Sequence, residues 1–262
     1  MKKRRGAIPL PDISQWQVRT LRVTAFLSPS AKIGEPKWWN ELLGGEPDSR
    51  SLRPSKGEII EQGPFDKGVL SLNVSPLRID WKLEVALDFQ LDDSAMPSLG
   101  SFQEVGDKFY KLMQEWLSFA TAPAIQRLAF GAIVQQSVDG REGGYRLLSK
   151  YLPAVDLNTE ARDFLYQINR PRKSKVPSMT TLEINRLTKW GCVSLQRSLI
   201  EHQGNGITRA SMFGETAYAC VLELDISTPA EFKGELPQRI MVQVLSEQYE
   251  FAKEVASKGD IE

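Results

Sequence analysis

LSLNVSPLRIDWKLEVAL, residues 70 to 87, decides the fold class. Leu70, Leu72 and Val74 alternate with Ser71, Asn73 and Ser75. After Pro76 the series Leu77, Ile79, Trp81, Leu83, Val85 and Leu87 alternates with Arg78, Asp80, Lys82, Glu84 and Ala86. Successive side chains on a strand point to opposite faces, so a period of two with one apolar and one charged face marks an antiparallel sheet that is half buried and half wet. The two runs read as a hairpin turning at Pro76.

The same period recurs outward from this stretch. Residues 17–28 read as a strand, as do the runs around 128–134, 163–170, 180–190, 192–200 and 217–226, with Asn205-Gly206 as the turn before the last. Residues 46–64, rich in Gly, Pro, Ser and charge, read as an exposed connection. The period changes at Val105, Phe109, Leu112, Met113, Trp116 and Leu117, which share one helical face. A second long helix is expected over about 237–256, and short helices over 36–44 and 141–153, the first with Pro36 at its start and Gly44 at its end. Strands followed by a helix occur twice. The expectation is one α+β domain, 1–262, with pseudo-halves near 14–140 and 141–262: a mostly antiparallel sheet covered on one face by two long amphipathic helices.

Composition excludes several chemistries. The chain has 262 residues, 41% hydrophobic and 25% charged, as in an ordinary globular domain, and no apolar run of membrane-spanning length. The single histidine, His202, in a loop, reads as solvated, and one histidine with two distant cysteines, Cys192 and Cys220, cannot build the usual zinc cluster. Those thiols read as small buried strand residues in a reducing, cytoplasmic protein, although Lys189 and Arg186 nearby would favour a thiolate at Cys192. Phosphate-loop glycine patterns and the G-x-S-x-G elbow do not occur. The acidic pairs Asp92-Asp93 and Glu223/Asp225 read as solvated, with an unrecognised carboxylate site in a small-molecule-binding or hydrolytic protein as the remaining enzymatic option. No cofactor or metal is expected.

Two features point to binding. Arg170, Arg172, Lys173 and Lys175 crowd a proline-flanked turn, Arg186 and Lys189 follow, and Tyr166 and Trp190 lie close, which would suit phosphates and bases. Against this, net charge is zero, and the excess of cations over 141–210 is matched by an excess of anions over 211–262, so the two regions can face each other. Trp38-Trp39 cannot easily both turn inward from a short helix, so one ring is a candidate partner contact.

The triplet Ile-Asn-Arg occurs twice, in LYQINRP and LEINRL. Read as neighbouring antiparallel strands, the two place Ile168 opposite Ile184, Asn169 opposite Glu183 and Gln167 opposite Asn185. LYQINRP resembles the Tyr-Ile-Asn-Arg-type strand of a sporadically distributed family of uncharacterised bacterial proteins, with Gln167 inserted between the tyrosine and the isoleucine. The resemblance implies a bacterial, cytoplasmic protein with no catalytic residues to carry over, of a kind whose patchy distribution accompanies mobile or defence gene clusters. The expectation is therefore a non-enzymatic interaction protein that binds a partner protein, as a component of a phage-defence or toxin-neutralising pair. Nucleic-acid binding through the basic turn is the alternative, and self-association is compatible with either.

Overall fold

The computed structural model describes residues 10, 12–31, 33–86, 96–202 and 208–260, with backbone alone at 197–202 and 208–215. The Asn205-Gly206 turn and the Asp92-Asp93 pair lie outside the described residues, as does the side chain of His202.

Among the described residues ten antiparallel strands form one sheet. They are β1 (Gln17–Leu27), β2 (Ser49–Arg53), β3 (Glu58–Phe65), β4 (Gly68–Val74), β5 (Arg78–Val85), β6 (Ile125–Val138), β7 (Leu165–Asn169), β8 (Arg172–Lys173), β9 (Glu183–His202) and β10 (Thr208–Ser227). The order across the sheet is β2-β3-β4-β5-β1-β6-β10-β9-β7, with β8 also on β9. Among the described residues four α-helices complete the fold: α1 (Trp38–Leu43), α2 (Phe102–Ser118), α3 (Gly140–Tyr151) and α4 (Gln238–Lys258). The α+β expectation holds, and the sheet is open rather than closed into a barrel.

Alternation dictates which face is covered. Leu21, Val23 and Ala25 of β1, Ile79, Trp81 and Leu83 of β5, and Leu222, Leu224 and Ile226 of β10 are buried beneath the helices. The Ser101 side chain caps α2 by accepting the Glu104 amide at 3.3 Å, and the helix turns Val105, Phe109, Met113 and Trp116 into the core. Helix α4 lies beside α2 and across β6 and β10, while α3 covers β9 and β10. Both Trp38 and Trp39 are buried rather than one facing outward: Trp38 meets Trp116 edge-on and Trp39 stacks on Trp81 at 6.0 Å. A two-sided aromatic slot between β5 and α2 takes both rings of the short helix.

Three local expectations are corrected. Residues 46–64 are not a connection but contain the β2–β3 hairpin, in which Ser51 pairs with Ile60. The stretches 180–190 and 192–200 belong to one strand, β9. The doubled triplet does sit on neighbouring strands, but four residues out of the expected register: Ile168 faces Thr188, Asn169 faces Leu187 and Gln167 faces Lys189. Pro171 has no amide to donate and interrupts the ladder without ending it, so pairing resumes at Arg172–Ile184 and the true loop begins at Ser174. Because the shift is even, the faces are as expected.

Candidate interaction surfaces

The basic turn and the last helix form a clamp. Gly259 ends α4 at a φ of +79°, and a Cβ there would sit 2.2 Å from the Tyr151 carbonyl, so only glycine can make this turn. The turn delivers Asp260, whose amide donates to Tyr151 O at 2.8 Å and whose carboxylate accepts from Arg170 Nε at 2.5 Å, from a terminal Arg170 nitrogen at 2.8 Å and from the Tyr166 hydroxyl at 2.9 Å. One turn back, Glu254 accepts from Arg172 at 2.6 Å, and Glu247 accepts from the Ser174 hydroxyl and the Lys175 amide, both at 2.5 Å.

Charge follows from this geometry. The Arg170 hydrogen bonds hold the Asp260 carboxyl below its ordinary range. Burial works against ionising Glu254, but hydrogen bonds from Arg172 and Lys258 outweigh it and its carboxyl also sits low. Arg186 is 2% exposed; its Nε donates to Arg170 O at 2.9 Å and its guanidinium lies 5.7 Å from the Phe251 ring centre. Burial and the neighbouring Arg172 cation push its guanidinium downward, an effect the Glu254 carboxylate opposes.

The six cations singled out from sequence are thus not one patch. Arg170, Arg172 and Arg186 project to the helix-covered side, against α4. Lys173 and Lys175 are exposed on the turn, and Lys189 stands on the opposite face of the sheet, 3.2 Å from Glu223. The acidic partners Glu247, Glu254 and Asp260 were not picked out from sequence, although the matched charge excesses of the two regions pointed to such a pairing.

The second surface is the other side of the sheet. All four helices pack on one face, and across its centre the described residues leave the opposite face uncovered. Register aligns Lys82, Arg22, Gly131, Asp225 and Leu187 in one row, with Glu84, Thr20, Ile133, Glu223 and Lys189 in the next along the strands and Asp80, Thr24, Ala129, Ser227 and Asn185 beyond on the other side. Gly131 lacks a side chain, so the Arg22 guanidinium lies over it and reaches to 4.0 Å from Asp225. Around this point is a depression of about 590 Å³ lined by Arg22, Arg78, Lys82, Asp80, Lys189, Glu223 and Asp225. Its charges are nearly balanced and mutually paired: Arg78–Asp80 at 2.8 Å, Lys82–Glu84 at 2.5 Å and Lys189–Glu223 at 3.2 Å. Lys82–Glu84 and Lys189–Glu223 are well exposed on both sides, and such pairs are worth about 0–1 kcal/mol each, so exchanging them for a partner's charges costs little. Arg22 and Gly131 were not singled out from sequence; an isolated glycine inside the strand pattern AFGAIV is the trace that marks the position.

No family model, curated protein or solved structure matches this chain.

Proposed function

We propose that this chain is a non-enzymatic interaction protein that holds a partner protein against the bare face of its sheet, and that it serves as a component of a bacterial defence or toxin-neutralising pair. One observation supports the reading above others: every helix among the described residues lies on one face, leaving a depression open on the other face across β4, β5, β1, β6, β10 and β9. Charge balance favours a protein over a polyanion as the occupant, because the central depression pairs each cation with an anion. The defence or toxin-neutralising role rests on the resemblance of LYQINRP and LEINRL to the sporadically distributed family, and on nothing structural.

Co-expression with the product of an adjacent gene, followed by size-exclusion chromatography with light scattering, tests the reading. A complex is expected, weakened about tenfold or more by Arg22→Glu or Lys189→Glu, which present like charge to the partner's complementary groups. A complex indifferent to both changes, or the absence of both complex and self-association, refutes it. Binding of an oligonucleotide that falls with salt and is lost in Lys173→Glu/Lys175→Glu would establish the nucleic-acid alternative instead. That alternative has little to draw on, since Arg170, Arg172 and Lys189 are engaged by carboxylates and Arg186 is buried.

A further inference from the structure

Cys192 and Cys220 are both free and stand directly opposite each other on β9 and β10. Which kind of antiparallel position they occupy follows from hydrogen bonds elsewhere on the same strands. The Thr228 amide donates to Leu128 of β6, and pairing between β10 and β6 runs without a shift from Ser227 to Tyr218, so even-numbered residues of β10 bond toward β6. Arg186 O accepts from the Arg170 amide on the β7 side, so even-numbered residues of β9 bond away from β10. Cys192 and Cys220 therefore form a non-hydrogen-bonded pair, where Cα atoms lie about 4.5 Å apart and side chains approach most closely. That spacing falls inside the range that a disulfide bridges, roughly 4.4–6.8 Å.

The surroundings treat the two thiols differently. Both thiols project to the helix-covered side, beneath Gly144 of α3, where a Cβ would stand 2.6 Å from Cys192 Sγ. The Cys220 thiol is fully buried and donates to Gly144 O at 3.2 Å. Cys192 is only half-buried and forms part of the wall of a surface cleft of about 680 Å³ shared with Arg141, Arg146, Arg162 and Tyr218. A small oxidant can thus reach one sulfur, with the other held behind it.

We propose that Cys192 and Cys220 are a dithiol that oxidises to an intramolecular cross-strand disulfide, with Cys192 the thiol that reacts with an oxidant from solvent and Cys220 the resolving thiol. With a peroxide as oxidant, the Cys192 thiolate displaces hydroxide from the O–O bond and becomes a sulfenic acid; the hydroxide takes up a proton and leaves as water. The Cys220 sulfur then attacks the sulfenic sulfur, the S–O bond breaks, and the departing oxygen takes the Cys220 proton as a second water. Two thiols and one peroxide give one disulfide and two waters. On ionising, Cys192 would draw the Cys220 S–H away from Gly144 O, and that hydrogen bond and the Arg141 charge favour the thiolate, against the effect of burial.

The full-length protein treated with hydrogen peroxide, then unfolded and alkylated, tests this by mass spectrometry. The expected product carries no alkyl group, has lost two hydrogens and yields a linked peptide joining Cys192 to Cys220 that a reductant separates. Cys220→Ser should stop at a Cys192 sulfenic acid captured by dimedone, and Cys192→Ser should leave Cys220 unoxidised. Overoxidation of Cys192 with Cys220 still alkylatable, or linkage only between chains, overturns the proposal.

Discussion

Replacing Asp260 with Asn isolates the contact that decides whether the basic turn is a structural clamp or a free cationic surface. The Asp260 side chain is 3% exposed and takes two hydrogen bonds from Arg170 and one from Tyr166. Asn keeps the shape but removes the charge and one acceptor. Breaking a buried ion pair costs about 3–5 kcal/mol, but the Arg170 side chain is 28% exposed and can regain water, so about 2 kcal/mol is expected here. For a chain of this size that lowers Tm by about 4–8 °C. The pH dependence has a fixed sign. The Asp260 carboxyl is held below its ordinary value of 3.8, so its contribution is complete above that value and is lost as pH falls through the folded-state value. The deficit of Asp260→Asn should therefore be full at neutral pH and shrink in acid. Urea unfolding of wild type, Asp260→Asn, Arg170→Met and the double variant at neutral and acidic pH measures it, with a coupling of about 1–2 kcal/mol expected at neutral pH. A neutral-pH loss under about 0.5 kcal/mol, or a loss that does not change with pH, refutes the clamp.

Two further predictions concern the core. At Gly106 of α2 an added Cβ would lie 2.6 Å from the Tyr249 hydroxyl oxygen, so Gly106→Ala should lower stability by about 1–3 kcal/mol despite its better helix propensity. In a Tyr249→Phe background, which also gives up the 2.8 Å hydrogen bond to Asp107, the same change should cost markedly less, with only the 3.3 Å approaches to Phe102 and to the ring at 249 left to relieve; equal losses in both backgrounds would show that the hydroxyl is not the obstacle. Glu61 is 3% exposed, and burial raises its carboxyl above the ordinary 4.5 despite Arg50 at 3.2 Å. A raised carboxyl costs stability as pH climbs through the folded-state value, so Glu61→Gln should gain on wild type in thermal melts as pH rises above the ordinary 4.5; a widening deficit over that rise would contradict this.

Legibility in the sequence followed burial. The hairpin of Leu70–Val85 could be read because one face of each strand is dry, and the long helices because Phe109, Met113 and Trp116, or Val244, Phe251 and Val255, must share a face. The β2–β3 hairpin could not: at the sheet's edge all five residues of β2 are exposed, and with Arg50, Arg53, Glu58 and Glu61 along it no apolar alternation is imposed. The register of β7 on β9 was missed because Pro171 looks like a turn, while the ladder passes it and turns later. The clamp was half visible, as an excess of anions following an excess of cations. The bare face was invisible, since which side of a sheet a helix lands on depends on connections that no local pattern encodes.

The order of elements repeats, and the low point of the uncovered face lies beside the seam between the two runs. A strand, a helix, four strands and a helix occur once from β1 to α2 and again from β6 to α4, and the two first strands pair antiparallel at the middle of the sheet. Across that central pair Arg22 faces Gly131, with Lys82 beside Arg22 on one side and Asp225 beside Gly131 on the other. An arginine in both halves would set two guanidinium groups against each other at the centre. Instead one half carries the cations, the other the anion, and the glycine leaves room for a single guanidinium to reach across. Gly131→Ala should be nearly silent, because its Cβ would meet Arg22 Nε at an ordinary 3.5 Å. Gly131→Arg should cost about 1 kcal/mol through like charges directly opposed, and adding Arg22→Gly should recover most of that loss, since an arginine at 131 would stand beside Asp225. Thermal melts of the three variants decide the point: if Gly131→Arg is tolerated with Arg22 in place, charge and space at the centre of the sheet do not limit what the seam accepts.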